Sequence, residues 1–269
     1  MREETGFADV DASGRLEELV DYLELVARHV GAFRREGYEL MRLKPGHAVL
    51  DVGCGKGEVC AELAVRVGPR GRVAGVDLSE AMIAAAWKAT LASGPLVELQ
   101  VADAYALPFP DGTFDAVRAE RVLQHLEDPP RALAEMVRVT RSGGRVLVID
   151  PDHSQAGLGL DRPEHRRIYE ALQRAMMRMI INPCSGTRLR GMFVRAGLVD
   201  GEQLVRSLEL EYPAFMQMFF IEERLAAAVT AGEISEAEGR DFVTSLRERH
   251  GEGTFFGNAI AYIVAGTKP

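Results

Sequence analysis

The stretch VLDVGCGKGE, residues 49–58, sets three glycines within five positions directly behind an apolar run that ends in an aspartate. Glycine accepts backbone conformations and close approaches that a Cβ forbids, so such a loop exists to bring main chain against something. A phosphate-binding P-loop needs Lys followed by Ser or Thr and a longer gap between its glycines; here Lys56 is followed by Gly57. The dinucleotide fingerprint G-x-G-x-x-G is also missed, because the run reads Gly53-Cys54-Gly55-Lys56-Gly57.

Working outward, short apolar runs alternate with helical patterns. AVLDVG, GRVAGVD, LVELQVAD, FDAVRAE and GRVLVID read as strands. EVCAELAVRVG reads as a helix with Val59, Leu63 and Val67 on one stripe. SEAMIAAAWKATLASG is a second, opened by Ser79 as N-cap and closed at Gly94, and PPRALAEMVRVT is a third. Alternation at this interval predicts an α/β chain of βαβ units, with a parallel sheet covered on both faces. Before it, residues 13–42 predict two helices, RLEELVDYLELVARHV and FRREGYELMRL. After it, residues 161–196 read as helical with a break at NPCSG, followed by a strand near EQLVRSLELEY. Two more helices are predicted across 213–249, and TFFGNAIAYIVAGTKP closes the chain as a strand. The implied organisation is a helical cap over 1–44, a ligand-binding core over 45–152, and a segment over 153–269 that completes the sheet and adds a helical cover.

Three acids mark consecutive strand ends: Asp51 before the glycines, Asp77 after the second strand and Asp103 after the third. Strand-end aspartates often cap the next helix or turn. Together along the carboxyl edge of a parallel sheet they disfavour a pyrophosphate and suit a ligand with hydroxyls, an amine and a cationic centre. Asp77 can accept from two ribose hydroxyls and Asp103 from an exocyclic amine, with Leu78 and Met82 on either side of a purine.

The bulk composition narrows the classes. The chain has 269 residues, 47% hydrophobic and 27% charged, which suits one substantial α/β core with a modest addition. A formal net charge of −8 leaves no basic surplus for nucleic acid or an anionic membrane surface. No run of ~18 apolar residues and no secretory pattern is present. Cys54, Cys60 and Cys184 are odd in number and lack metal spacing, which predicts reduced thiols in a cytoplasm. His29, His47, His125, His153, His165 and His250 are scattered, so no metal centre is expected.

VLDVGCGKGE, GVDLSEAMI, VADAYALPFPDGTFDAV and RVLQHLEDPPRALAEMVRVTRSGGRVLVID, taken in order, resemble the successive motifs of class I S-adenosylmethionine-dependent methyltransferases, continuously over about residues 45–150. RAERVLQHLEDP and the terminal FFGNAIAYIVAGTKP are similar to a bacterial small-molecule subgroup. The resemblance implies a Rossmann-like, seven-stranded, mostly parallel sheet with its last strand inserted antiparallel. S-adenosylmethionine would be the cofactor and S-adenosylhomocysteine its product. Carried over by position, Asp51, Gly53 and Gly55 would line the methionine part, with the Cys54 backbone nearby. Asp77 would hold the ribose, Leu78 and Met82 the adenine, and Asp103 with Ala104 its amino edge. Glu120 would offer a carbonyl to the ammonium. Lys56 departs from the Thr or Ser more common there, and Gly57 is expected to loosen the loop.

A sulfonium methyl is already electrophilic, so such a protein must align the acceptor, exclude water and in some cases remove a proton. His125, just past the fourth strand, is the first candidate base and His153 the second; an imidazole in LQHLEDP can equally order the loop. Tyr22 can close over the cofactor carboxylate or sit as a helix-boundary residue. The acceptor walls are sought in MMRMII and FMQMFF, with Met176, Met179, Ile180, Phe215, Met218 and Phe219 at helical spacing, a pattern that ordinary core packing also produces. Arg162, Arg166, Arg167, Arg188 and Arg190 could greet an anionic head, or pair with Glu164, Glu170 and solvent. The expectation is methyl transfer to a small, largely apolar metabolite of secondary metabolism, on oxygen before nitrogen or carbon, by a monomer or homodimer. Cyclisation without methylation is the rival use of the same cofactor.

Overall fold

The structure is a computed structural model that describes residues 6, 7, 9–91 and 97–269. The apolar runs form one sheet from β1 (Ala48–Val52), β2 (Arg72–Asp77), β3 (Val97–Val101), β4 (Phe114–Glu120), β5 (Thr140–Pro151), β6 (Gly157–Leu158), β7 (Val199–Leu210) and β8 (Gly257–Thr267). Their order is β3-β2-β1-β4-β5-β8-β6, with β7 on the other side of β8. β1 to β5 pair parallel, whereas β8 runs antiparallel to β5, β6 and β7. Seven strands are long; β6 adds a two-residue eighth.

Both faces are covered, which is why the inner strands are buried nearly end to end rather than alternating. On one face α2 (Leu16–Leu40), α3 (Glu58–Val67) and α4 (Glu80–Leu91) pack Phe33, Leu63 and Ile83 against Val49, Val73 and Leu147. On the other, α5 (Pro129–Val139) and α7 (Ser185–Arg195) pack Leu133, Met136 and Phe193 against Val117 and Val148. A separate apolar cluster joins α6 (Pro163–Met179), α8 (Tyr212–Met218), α9 (Ile221–Thr230) and α10 (Glu236–Gly251). This is the helical cover. Among the described residues no helix is long and apolar enough to cross a membrane.

Three expectations about elements change. The N-terminal region holds a short α1 (Val10–Ser13) and then one continuous helix, α2, not two. Gly31 does not break it, because Val26 before it and Phe33 after it are both buried and fix the helix from either side. The segment after β7 forms three helices, not two. Phe220, at φ 49°, ends α8 and starts α9, and a Ser235–Glu238 capping box starts α10. The helix end expected at Gly94 lies outside the described residues.

The chain reverses its lateral order at β1, which pairs with β2 on one side and β4 on the other. Such a switch leaves a crevice beyond the carboxyl ends of the strands. The glycine loop sits there.

Candidate functional site

Gly53 is at φ +69°, and a Cβ on it would fall 2.3 Å from Val122 Cγ2 across the crevice. Any side chain there would force the Val122 side chain to shift, and the positive φ adds strain. The N–H groups of Gly53 and Cys54 donate to Val76 O, at 2.8 and 2.9 Å, and Gly55 N donates to Asp77 Oδ2 at 2.9 Å. Gly57 is not the slack point expected of it. At φ +74° it caps α3, and its Cβ position lies 3.1 Å from Ala86. Lys56, the residue that departs from the family pattern, reaches Glu24 of α2 at 2.6 Å and Glu58 at 3.3 Å, tying the loop to the N-terminal helix.

Beside the loop lies a cleft with about 1080 Å³ of free space, the open solvent at its mouth included. Gly53, Gly55, Asp77, Leu78, Met82, Asp103, Ala104 and Glu120 all line it. Asp77 Oδ1 accepts from Ser79 N at 3.0 Å, which leaves acceptor capacity on both oxygens toward the cleft. Burial raises its pKa, and the N–H groups of Ser79 and Gly55 oppose that rise. Leu78 is 60% exposed while Met82 is 2% exposed. Both give the cleft an apolar lining at this end. Asp103 accepts from Tyr105 N at 2.8 Å. The roof is N-terminal: Phe7, Val10, Tyr22 and Leu23. α1 is latched down by Asp11, which accepts from Ser79 Oγ at 2.6 Å and Glu80 N at 2.8 Å.

Asp51 is parted from Asp77 and Asp103 but keeps its expected company, lining with Gly53, Cys54, Gly55 and Glu120 a hollow next to the cleft. It does not line this cleft; it is buried and its Oδ1 meets Arg118 Nη1 at 2.9 Å. Arg118 also holds Glu120, at 2.5 Å, and Arg34 grips the same carboxylate at 3.0 Å. Burial alone would lower the Arg118 pKa, but Asp51 and Glu120 outweigh it and keep the guanidinium charged. Burial would likewise raise Glu120, yet Arg118 and Arg34 hold it down at about 2. This network of two cations and two anions faces a side hollow shared with Gly53, Gly55 and Lys56. The Cys54 side chain also turns from the cleft; its sulfur and that of Cys60 occupy the space over Gly75.

Past Glu120 the cleft joins a second chamber with about 730 Å³ of free space, open solvent included. Tyr22, Glu120, Arg121, Gln124 and His153 line both. Met176 and Ile180 wall the first chamber; Met218 and Phe219 wall the second. Met179 and Phe215, expected with them, instead fill the helical core, where Phe215 lies over Gly257. Arg162 and Arg167 pair with Asp241 and Glu238 of α10 at the surface, and Arg166, Arg188 and Arg190 are exposed. None of the five lines either chamber.

His125 lines the first chamber, its ring 5.5 Å from that of Phe7. His153 is a poorer base than expected. Gln124 Nε2 donates to Arg121 O at 3.3 Å, so its Oε1 faces His153 Nε2, at 2.9 Å, which must carry the proton. Burial first, then the fields of His125 and Arg224, pull the His153 pKa down to about 3. The ring is neutral at ordinary pH and takes up a proton reluctantly. Phe7, Arg121 and Gln124 were not legible as site residues; their only sequence signal is proximity to the ends of α1 and β4. Among the described residues no group of three or more His, Cys, Asp or Glu is placed to hold a metal ion.

Residues 50–148 match the methyltransferase domain family. Over 91% of the chain it is 31% identical to an uncharacterized protein in transposon TN4556 of Streptomyces fradiae, 70% of which is covered. Over 44% of the chain it is 38% identical to a demethylmenaquinone methyltransferase of Symbiobacterium thermophilum, of which 48% is covered. The chain thus spans about half the length of that enzyme and of several others of its name. A solved candidate methyltransferase from Bacillus halodurans shares the fold at TM-score 0.61 and 18% identity, covering 87% of this chain and 98% of that one. The glycine loop lies beside the cleft at the switch point of this strand order, and the chain belongs to the class I S-adenosylmethionine-dependent methyltransferases.

Proposed function

We propose that the enzyme methylates a small, largely apolar acceptor bearing an ionisable hydroxyl, with that oxygen as the accepting atom. The observation that carries the reading is the second chamber. Val26, Val30, Phe33, Leu208, Met218 and Phe219 give it apolar walls, and its polar groups gather where it meets the cofactor side. In this reading Asp77 accepts from the ribose hydroxyls, Leu78 and Met82 bracket the adenine, and Asp103 and Ala104 meet its amino edge. The main chain of Gly53 and Gly55 lines the methionine part, the Glu120 carbonyl takes the ammonium, and Tyr22 closes over the carboxylate. Bound S-adenosylmethionine supplies an electrophilic methyl that needs no further activation.

The protein's share is then alignment behind that methyl and exclusion of water, worth up to ~7–11 kcal/mol in the most favourable intramolecular cases. Phe7, Tyr22 and Phe220 supply the exclusion, with the Tyr22 and Phe220 rings stacked at 5.1 Å. The proton is a smaller matter if the acceptor is a phenol, enol or quinol, because such a hydroxyl ionises readily; His125 remains the candidate that assists. A second reading places the methyl on ring carbon beside the ionised hydroxyl, and the relationship to demethylmenaquinone methyltransferases favours it. A cytoplasmic monomer or homodimer serving secondary metabolism belongs to the same proposal.

Incubation with methyl-labelled cofactor and a panel of phenols, enols and quinols tests it. The expected result is S-adenosylhomocysteine together with a product heavier by one methyl, whose position by NMR separates oxygen from carbon. Turnover of an acceptor to a rearranged product of unchanged mass would replace this reading with cyclisation.

A further inference from the structure

Directly after β4 the backbone of Arg121 turns to φ +57°. Non-glycine residues seldom adopt that conformation, and functional sites hold more than their share of it; of the four among the described residues, Arg121 and Phe220 line the cleft and Arg42 and Asp200 do not. The turn is tethered by the Arg121 N–H, which donates to Ile149 O at 2.7 Å. It sends the guanidinium to the joint between the two chambers, both of which it lines. The guanidinium carbon lies 5.6 Å from the centre of the Tyr22 ring. Its Nε is buried with no hydrogen-bond partner among the described residues, and no described carboxylate lies within ion-pair distance of it.

The neighbouring charges make this notable. Arg34 and Arg118 are matched by Glu120 and Asp51, two cations to two anions at 2.5–3.0 Å. Arg121 stands in a part-buried, largely apolar joint with no described carboxylate at ion-pair distance, its guanidinium beside the Tyr22 hydroxyl and within the field of Glu120 and Asp150. A charge so placed is costly unless a bound group completes it. The planar fork of a guanidinium suits an anionic oxygen better than a point charge does.

We infer that Arg121 is a specificity-determining residue that holds the ionised hydroxyl oxygen of the acceptor, so that the enzyme selects acceptors by their acidity as well as by their shape. This rests on the acceptor reading above. The hydroxyl proton leaves to solvent before transfer. The retained lone pair then makes the new bond to the methyl carbon while the carbon–sulfur pair withdraws onto sulfur. A cofactor carboxylate is the other possible source of the anion, and the test separates the two.

The probe is 4-nitrophenol, titrated with pH against protein saturated with S-adenosylhomocysteine and followed by its phenolate absorbance. In the wild-type complex the probe is expected to half-ionise at least about one pH unit below the free compound, a tenfold bias toward the anion. Arg121→Gln abolishes the shift and Arg121→Lys keeps part of it. In both variants S-adenosylhomocysteine affinity by calorimetry stays within about threefold of wild type, and so does the melting temperature within a few degrees. A wild-type complex that does not bind the probe or leaves its ionisation unshifted overturns the inference. So does a shift that survives in Arg121→Gln, or a Gln variant that loses S-adenosylhomocysteine affinity while keeping the shift. If the wild-type protein fails to bind S-adenosylhomocysteine at all, the assignment of the cofactor site falls first, and this inference with it.

Discussion

Two aspartates at equivalent strand ends have opposite fates, and the difference lies in what faces them. Asp51 meets the buried Arg118, so its carboxylate is spent inside the protein. Asp77 meets only N–H groups of Gly55 and Ser79, so it keeps capacity for a ligand. Asp51→Ala leaves half of a buried pair uncompensated, and the expected cost is roughly 3–5 kcal/mol of stability, read by urea denaturation, with S-adenosylhomocysteine affinity of the folded fraction little changed. Asp77→Asn should do the reverse. It removes charge from hydrogen bonds worth about 1.5–3 kcal/mol each, so affinity by calorimetry falls roughly 10-fold or more while the protein melts near the wild-type temperature. An exchange of the two phenotypes would show that the acids have been assigned the wrong way round.

At the level of elements, the roof is held by a short latch. α1 has four residues and little stability of its own, and Asp11 joins it to the start of α4 through Ser79, Glu80 and Ala81. The hydrogen bond from Ser79 is the main reason the Asp11 pKa lies below the ordinary carboxylate value. Asp11→Ala is expected to leave global stability almost unchanged, because the group is exposed, but to raise the dissociation rate of S-adenosylhomocysteine several-fold as Phe7 and Val10 lift. An unchanged dissociation rate in stopped-flow displacement would mean that α1 is not the roof of a bound cofactor. The alternation of strands and helices from 48 to 151 was readable locally, since β1, β2, β4 and β5 are apolar runs buried on both faces and only the edge strand β3 alternates. The continuity of α2 was not, because Gly31 weakens the local pattern and the compensation comes from packing at Val26 and Phe33. The glycine loop and Asp77 could be placed at strand ends from the order of apolar runs along the chain. Arg121 and Phe7 could not be placed at the cleft, since their meeting there is made by tertiary folding and leaves no period in the sequence. The methionine and phenylalanine stripes divide between chamber and core for the same reason: a helix face shows that residues are buried, but not whether a cavity or a core buries them.

Across the whole molecule, two buried titrating groups under the site pull stability in opposite directions with pH. Burial pushes the Asp150 carboxyl up to about 7, with Ser185 opposing, while His153 lies down near 3. An acid with a raised folded-state pKa contributes fully below its unfolded value of 3.8 and loses that contribution as pH climbs toward 7. A base with a lowered pKa contributes fully above 6.5 and loses that contribution as pH falls toward 3. Between pH 4 and 6.5 the two slopes cancel, each at most about 1.4 kcal/mol per pH unit for one proton. The wild-type stability curve should therefore be flat across that window from these two groups. Asp150→Asn leaves His153 alone, so unfolding free energy measured in urea should rise from pH 4.5 to 6.5. His153→Asn leaves Asp150 alone, so it should fall over the same interval and on to pH 7.5. Curves for the two variants that run parallel to wild type would show that neither group changes its protonation on folding, and the neutral histidine beneath the acceptor chamber would lose its basis.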